Sequence, residues 1–191
     1  MFEVIVSSEY QVSKWSGGLT KQIYIMPKDA NYADRNFTVR ISSATVDLPE
    51  SDFTYLPGVY RYLTSLTGKM NLTINHKENV TVLPQKIVEF SGEDEIHCVG
   101  CATDMNLMLK GAEGKMYTAP TGKFELKREK IYFFYGEQEM TFAGIDNSLE
   151  PECYHLEKGD CMHVFDEHRT VTIQSNLEQI LVIEVNASCD K

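Results

Sequence analysis

The sequence predicts an all-β protein, an antiparallel sandwich or barrel built from many short strands. Polar and apolar residues alternate over short segments, and glycine, proline and asparagine turn signals separate these segments at close spacing. No stretch longer than a dozen residues carries an apolar stripe at the helical period. Frequent short strands with closely spaced turns favour an antiparallel sandwich or barrel over an α/β fold.

The alternation is clearest in the segment 37–42, where Phe37, Val39 and Ile41 share one face and Arg40 lies on the other. The same pattern predicts nine further strands. They span residues 60–66, 70–74, 79–83, 86–90, 130–135, 139–142, 161–165, 169–173 and 179–185.

The segment 111–130 combines glycines, a proline and several lysines, and it predicts an exposed connection. It would divide the chain into halves of about 1–110 and 111–191. Both halves contain a strand–glycine–strand pattern, around Gly68 and Gly136. Either a duplicated barrel or the independent occurrence of similar hairpins in the two halves explains this repeated pattern.

The charge balance argues against a nucleic-acid partner. Among the 191 residues, 18 Lys and Arg stand against 28 Asp and Glu, which is a net charge of -10. Such a chain repels phosphate backbones, and no basic block offsets the repulsion locally. No apolar run approaches the length of a membrane span, and the first ten residues do not resemble a secretory signal. We therefore expect a cytoplasmic protein with no membrane association.

The cysteines are odd in number, which argues against a disulfide framework. Reduced thiols are expected at all five positions: Cys98, Cys101, Cys153, Cys161 and Cys189.

Two glycines follow the single tryptophan, in the order Trp15, Ser16, Gly17, Gly18. Glycines occur where a ligand or another strand must approach the main chain closely. The segment therefore predicts either a ligand-contacting backbone or a glycine hairpin with Trp15 in the core.

Two arginines lie in otherwise apolar or aromatic strands. Arg40 faces away from the apolar side of its strand, and Arg61 opens an aromatic and aliphatic strand. An arginine aimed into a barrel needs a carboxylate or phosphate partner, because an unpaired buried cation is costly. The partner is either a ligand or one of the many internal acids. Asp104 and Asn106, flanked by Met and Leu, are further positions that either bind a ligand or cap local structure.

A zinc site is the sharpest metal hypothesis. If the chain turns at 158–160, a hairpin could gather Cys153, His155, Cys161 and His163, a ligand set that suits tetrahedral Zn²⁺. The alternative is a surface hairpin with incidental thiols and imidazoles, because nothing fixes the register between the strands. The sequence contains no nucleophile elbow, P-loop, dinucleotide-binding glycine motif or H-E-x-x-H motif.

Five short motifs, taken in order, resemble the HutD/Ves family over about residues 5–185. They are Trp15-x-Gly17-Gly18-x-Thr20, Phe37-x-Val39-Arg40-Ile41-Ser42-x-Ala44, Phe53-x-x-Leu56-Pro57-Gly58-Val59-Tyr60-Arg61-x-Leu63, Phe90-Ser91-Gly92 and Asp104-Met105-Asn106-Leu107-Met108. The resemblance implies a bicupin, in which two cupin-like (RmlC-like jelly-roll) antiparallel barrels form one unit over residues 1–191. It also implies a link to histidine utilisation, and it brings no firmly assigned catalytic activity.

The chain departs from the family at two positions. Tyr60 stands where relatives commonly carry an acid before the arginine, and Gln22 stands where they often carry Glu. Both departures remove negative charge near the expected pocket and would suit a more anionic ligand.

Aligning Gly68 with the last glycine of the metal-binding cupin motif puts Arg61 at the metal-binding glutamate position. A cation there repels divalent metals and attracts carboxylates. We expect neither a metal nor another cofactor, with the set Cys153, His155, Cys161 and His163 as the sole metal candidates.

The function predicted from these observations is non-catalytic binding of a small carboxylate metabolite, such as formylglutamate, glutamate or urocanate, in histidine utilisation. Arg61 and Arg40 would pair with carboxylates, Trp15 would form an apolar wall, and Thr20, Gln22 and Asn106 would supply neutral hydrogen bonds. Two alternatives stay open. One is a metal-independent isomerase or hydrolase using a base such as His155 or His163, and the other is a protein-interaction module. Edge strands also leave homodimerisation open.

Overall fold

The computed structural model describes residues 1–144 and 152–187, which form β-strands and one single-turn 3₁₀ helix, Ser7–Glu9. This confirms the all-β prediction. Within these residues, no helix has the length and hydrophobicity needed to cross a bilayer.

Nineteen strands are described, numbered in chain order. They are β1 (Phe2–Ile5), β2 (Gln11–Trp15), β3 (Gly18–Met26), β4 (Val39–Val46), β5 (Glu50–Asp52), β6 (Tyr60–Gly68), β7 (Met70–Ile74), β8 (Glu78–Val82), β9 (Val88–Ser91), β10 (Ile96–Val99), β11 (Ala102–Leu109), β12 (Gly114–Pro120), β13 (Gly122–Glu125), β14 (Lys130–Tyr135), β15 (Met140–Gly144), β16 (Cys153–Leu156), β17 (Cys161–Val164), β18 (Thr170–Ser175) and β19 (Gln179–Asn186).

The strands form two compact units, each with two antiparallel sheets. The N-terminal unit is Tyr10–Ala112, and the C-terminal unit combines Met1–Glu9 with Glu113–Lys191. The first contains the sheets β2-β3-β4-β11-β6-β9 and β5-β10-β7-β8, and the second contains β1-β17-β14-β19-β12 and β13-β18-β15-β16. The first nine residues belong with the C-terminal unit because β1 pairs with β17.

The expected connection over 111–130 is wrong, because this segment forms β12 and β13. Strand β12 pairs with β19, and β13 pairs with β18. Both strands lie at the edge of their sheets, where glycine, proline and lysine are tolerated. The buried side chains Met116 and Ala119 anchor β12, while Lys115 and Lys123 are exposed.

The hairpin expected for the zinc site is also wrong. The chain does turn at Lys158 and Gly159, but β16 pairs with β15 while β17 pairs with β1 and β14. The two strands lie in different sheets, so Cys153 and His155 have no ladder partner in β17. Long-range pairing, which local spacing does not encode, decides their neighbours.

The two units fill their interiors differently. The interior of the C-terminal unit is a continuous apolar cluster that includes Phe134, Phe142, Leu156 and Met162, all at most 2% exposed. The N-terminal unit contains two smaller apolar clusters, one around Leu63 and Leu72 and one around Phe37 and Leu56. Polar and charged side chains are buried in the same unit, on the sheet that contains β4, β6 and β11.

Candidate ligand-binding site

A cavity of about 300 Å³ lies within the N-terminal unit. Its walls come from strands β2 to β6 and β11 and from the segments next to them. The lining residues are Ser13, Lys14, Trp15, Thr20, Tyr32, Arg40, Ser42, Ala44, Val46, Asp52, Phe53, Thr54, Arg61, Asp104, Asn106 and Met108.

The polar wall of this cavity follows from the register of three neighbouring strands. In the central strand β11, Met108 is paired with Arg40 of β4 on one side and with Arg61 of β6 on the other. Two residues away along β11, Asn106 is paired with Ser42. Because alternate residues share a face and paired residues point the same way, these polar side chains converge.

The other face of the same strands is apolar and also buried. Val39, Ile41 and Leu107 are each at most 1% exposed. Burial on both faces means that the arginines cannot turn to solvent, and their charge must be accommodated in the cavity.

Arg61 is held by aromatic rings. It is 5% exposed, and its guanidinium carbon lies 5.2 Å from the ring centre of Phe53 and 5.0 Å from that of Phe90. Cation–π contacts of this kind stabilise the charge, but they leave N–H donors unused. Its Nε is buried and has no hydrogen-bond partner in the described chain. Burial lowers the pKa of Arg61 to about 10, so the side chain is still a cation at neutral pH.

Arg40 is held by neutral groups. Its Nε donates to Oε1 of Gln22 at 3.0 Å, and one terminal nitrogen donates to Oγ of Ser42 at 3.2 Å. The guanidinium also stacks on Tyr32, with its carbon 4.0 Å from the ring centre. Burial lowers the pKa of Arg40. Its orientation is therefore fixed while its charge stays available to an anion.

Asp104 is the buried acid of the cavity. It is 4% exposed, and its Oδ1 accepts a hydrogen bond of 3.1 Å from the backbone N–H of Ala44. Burial raises the pKa of this carboxyl to about 7, against the opposing effects of the Ala44 N–H, Arg61 and Arg40. The group is thus poised to gain or lose a proton near neutral pH.

The glycine pair places Trp15 at the cavity. A Cβ atom on Gly17 would overlap the indole ring of Trp15, and one on Gly18 would overlap the backbone carbonyl of Thr45 in β4. Gly17 therefore makes room for the ring, and Gly18 lets the neighbouring strand approach. The indole Nε1 is buried without a partner in the described chain, and so is Oδ1 of Asn106.

Five of the six predicted ligand-binding residues line this one cavity: Trp15, Thr20, Arg40, Arg61 and Asn106. Gln22 does not line it and instead orients Arg40, while also donating to Gln11 at 3.2 Å. Their role in binding a ligand stays a prediction.

The sequence left Asp104 open between binding a ligand and capping local structure, and it did not assign Tyr32 or Phe53 to the site. A polar position inside an apolar strand was the available signal for Asp104, and the two aromatic residues carried none.

The metal candidates do not converge in the C-terminal unit. Cys161 is buried and Cys153 is exposed, while His155 Nε2 lies 3.3 Å from Glu157 and His163 Nδ1 lies 3.2 Å from Glu3. Over residues 1–144 and 152–187, no group of three or more His, Cys, Asp or Glu could hold a metal ion. Cys189 lies outside the described residues.

Three solved structures of bacterial proteins illustrate the similarity in fold. HutD from Pseudomonas fluorescens SBW25 is 21% identical with a TM-score of 0.77, covering 97% of this chain and 98% of that one. A conserved protein of unknown function from Pseudomonas aeruginosa PAO1 is 19% identical with a TM-score of 0.76 and the same coverage. The pirin YhhW from Escherichia coli, in complex with nickel(II), is 8% identical with a TM-score of 0.63, covering 97% and 99%. The fold is therefore cupin-like.

A search of curated protein sequences finds no match to this chain. The family model named HutD, however, matches residues 7–182, which is nearly the whole sequence. This match confirms the resemblance that the five motifs indicated. The chain belongs to the HutD family.

Proposed function

We propose that this protein binds a small carboxylate metabolite without transforming it and serves an accessory or regulatory role in histidine utilisation in the cytoplasm. One observation carries the proposal: Arg61 is buried in a cavity with a second arginine, and its Nε has no partner in the described chain.

A buried arginine without a carboxylate partner lowers the stability of the fold. Binding of an anionic ligand would explain why the protein keeps such an arginine. Two aromatic rings, Phe53 and Phe90, contact the Arg61 guanidinium and restrict its position. A carboxylate can accept two parallel hydrogen bonds from one edge of the planar guanidinium, which is the strongest pairing that arginine makes. The unpartnered Nε belongs to such an edge.

The remaining walls suit a compact metabolite with several polar groups. At about 300 Å³, the cavity lies at the small end of ligand sites. Arg40 would bind a second carboxylate or an amide oxygen, and Thr20 and Asn106 would supply neutral hydrogen bonds. Trp15 would close the site with an apolar face. Formylglutamate, glutamate and urocanate are the ligands that fit the family's link to histidine utilisation.

We further propose that the two units are the two cupin-like halves of a bicupin. We also propose that homodimerisation could occur by sheet extension at the edge strands β2 and β12. We propose no nucleic-acid, membrane, metal or cofactor partner.

Thermal unfolding of the purified protein against these three carboxylates and a set of divalent metals tests the proposal. A ligand at 100 times its Kd adds about 2.7 kcal/mol to the free energy of unfolding, which raises the midpoint visibly. We expect a shift with at least one carboxylate and its loss in Arg61→Ala. Arg61→Lys should also bind more weakly, because an ammonium group lacks the planar two-donor edge. Arg128→Ala is the matched control, since Arg128 is an exposed arginine of the C-terminal unit.

Three results would contradict the proposal. Equal affinity in Arg61→Lys would exclude two-donor pairing at this residue. Turnover of a panel compound, lost in His163→Ala, would favour the enzyme alternative. No shift with any carboxylate, together with stoichiometric binding of a protein, would favour the interaction module.

A further inference from the structure

Asp104 brings a negative charge into the cavity that is proposed to bind anions. Its carboxyl group and both guanidinium groups line the same walls. Arg40 donates hydrogen bonds to neutral groups, and Arg61 makes cation–π contacts with two aromatic rings. Neither arginine is therefore committed to Asp104 in the way that a buried ion pair would commit it.

Other titratable and charged groups face Asp104 or share its cavity. Three groups interact with Asp104 electrostatically: Arg40 on β4, Arg61 on β6 and Cys98 on β10. The other such groups that line the cavity are Tyr32 before β4, Lys14 on β2 and Asp52 on β5. Burial raises the pKa of the Cys98 thiol to about 11, so this group stays neutral near pH 7. Lys14 and Asp52 are exposed to solvent and are screened by it.

A ligand carboxylate would add a second negative charge beside Asp104 and displace water from around it. Two carboxylates in one dry site do not both stay ionised without sufficient positive charge, and one of them takes up a proton. A dicarboxylate ligand would neutralise Arg40 and Arg61 by itself, which leaves no positive charge in the cavity interior for an ionised Asp104. A protonated Asp104 can instead donate a hydrogen bond to the ligand.

From this geometry we infer that the cavity binds its anion together with one proton, and that Asp104 holds this proton and donates a hydrogen bond to the ligand. The inference rests on the proposed function and adds Asp104 to the ligand-binding residues. The proton comes from solvent and joins the Asp104 carboxylate, and no covalent bond to the ligand forms. Ligand affinity then falls about tenfold for each pH unit above 7.

Isothermal titration calorimetry tests this with glutamate and N-formylglutamate, two dicarboxylates whose charge does not change between pH 6 and pH 8. Titrations in two buffers of different ionisation enthalpy count the protons taken up. We expect about nine-tenths of a proton at pH 8 and about one-tenth at pH 6, since the carboxyl of the free protein has a pKa of about 7.

Asp104→Asn carries an amide that is neutral and can donate at every pH. This variant should take up no proton and should bind at pH 8 as tightly as the wild type binds at pH 6. Asp29→Asn, an exposed acid-to-amide change outside the cavity, should keep the wild-type proton uptake. If Asp104→Asn does not fold, infrared difference spectra of the wild type at pH 8 give the same answer, because binding should create the carbonyl band of a protonated acid.

The outcomes separate the two proposals. Binding without proton uptake at pH 8, uptake that persists in Asp104→Asn, or a missing infrared band would overturn the role of Asp104 and leave the proposed function intact. Failure of both dicarboxylates to bind at either pH would also overturn the inference. In that case a thermal shift with urocanate would preserve the proposed function alone.

Discussion

The two units share a design of two antiparallel sheets. They differ in the side chains that their central strands direct into the interior. In the C-terminal unit, Tyr132 and Phe134 of β14 and Met162 of β17 are packed into one apolar cluster. In the N-terminal unit, β4, β6 and β11 direct Arg40, Arg61 and other polar groups into a cavity.

This difference shows how one β architecture yields either a packed core or a binding site. Apolar side chains close on one another and exclude water, so the C-terminal interior contributes stability. Polar groups without partners resist such closure, because burying them unpaired costs free energy. The N-terminal interior therefore retains space and unsatisfied hydrogen-bonding groups at the expense of stability, as binding sites commonly do.

The largest effect that tests this comparison should come from removing a buried aromatic side chain from the apolar core of the C-terminal unit. Phe134 is fully buried and contacts Phe124, Tyr132 and Phe142. Phe134→Ala removes these contacts and leaves a void, so we expect the free energy of unfolding to fall by about 3–5 kcal/mol. Urea denaturation followed by circular dichroism measures the loss.

The matched change in the N-terminal unit is Asn106→Ala. Its Oδ1 has no hydrogen-bond partner in the described chain, and its side chain borders space that already exists. We expect this variant to lose less than about 1 kcal/mol. Similar losses in the two variants would show that the N-terminal cavity is as tightly packed as the C-terminal core, and the comparison would fail.

Local alternation was sufficient to predict strands that have one polar face or clear turn signals. Predicted strands 70–74 and 130–135 coincide with β7 and β14. Strand β11 was not predicted, because it ends in three apolar residues and does not alternate over its full length. Strands β12 and β13 were mistaken for a connection, because edge strands tolerate the residues that signal loops.

The candidate site was predictable in its residues but not in its assembly. Arg40 and Arg61 were identifiable because a cation in a buried strand requires an anionic or polar partner. Their convergence depends on the pairing of both strands with β11, a long-range feature that the spacing of residues does not specify. The same limit explains why the zinc hairpin was wrong, since β17 takes its partners from β1 and β14.

A second effect should appear in the pH dependence of stability, and it should come from Asp104 in the N-terminal unit. The pKa of Asp104 rises from its ordinary value of 3.8 to about 7 on folding, so the folded state binds more protons between these values. The stabilisation is fully present below about pH 4 and is lost as pH rises through 7. Relative to Asp104→Asn, the wild type should lose about 2 kcal/mol between pH 5 and pH 7.

Urea denaturation of both proteins at pH 5, 6, 7 and 8 gives this difference, and Asp29→Asn serves as the control. A constant difference between wild type and Asp104→Asn across this range would mean that the carboxyl titrates near its ordinary pKa. The N-terminal cavity would then be wet and well screened, and the contrast with the dry C-terminal interior would weaken.

A third effect, smaller than that of Phe134→Ala or of Asp104, should follow from moving one wall of the cavity. A Cβ on Gly17 would overlap the indole of Trp15, and Trp15 is only partly buried, so the ring can swing outward. We therefore expect Gly17→Ala to cost about 1 kcal/mol, at the low end for an overpacked site, and to blue- or red-shift the emission of the single tryptophan. Ser16→Ala, an exposed neighbour, should change neither quantity.

The indole ring also forms a wall of the cavity. If Gly17→Ala binds carboxylates more weakly but keeps near-normal stability, then Gly17 shapes the binding site and contributes little to the packing of the core. An unchanged emission spectrum would show that Gly17 does not position Trp15.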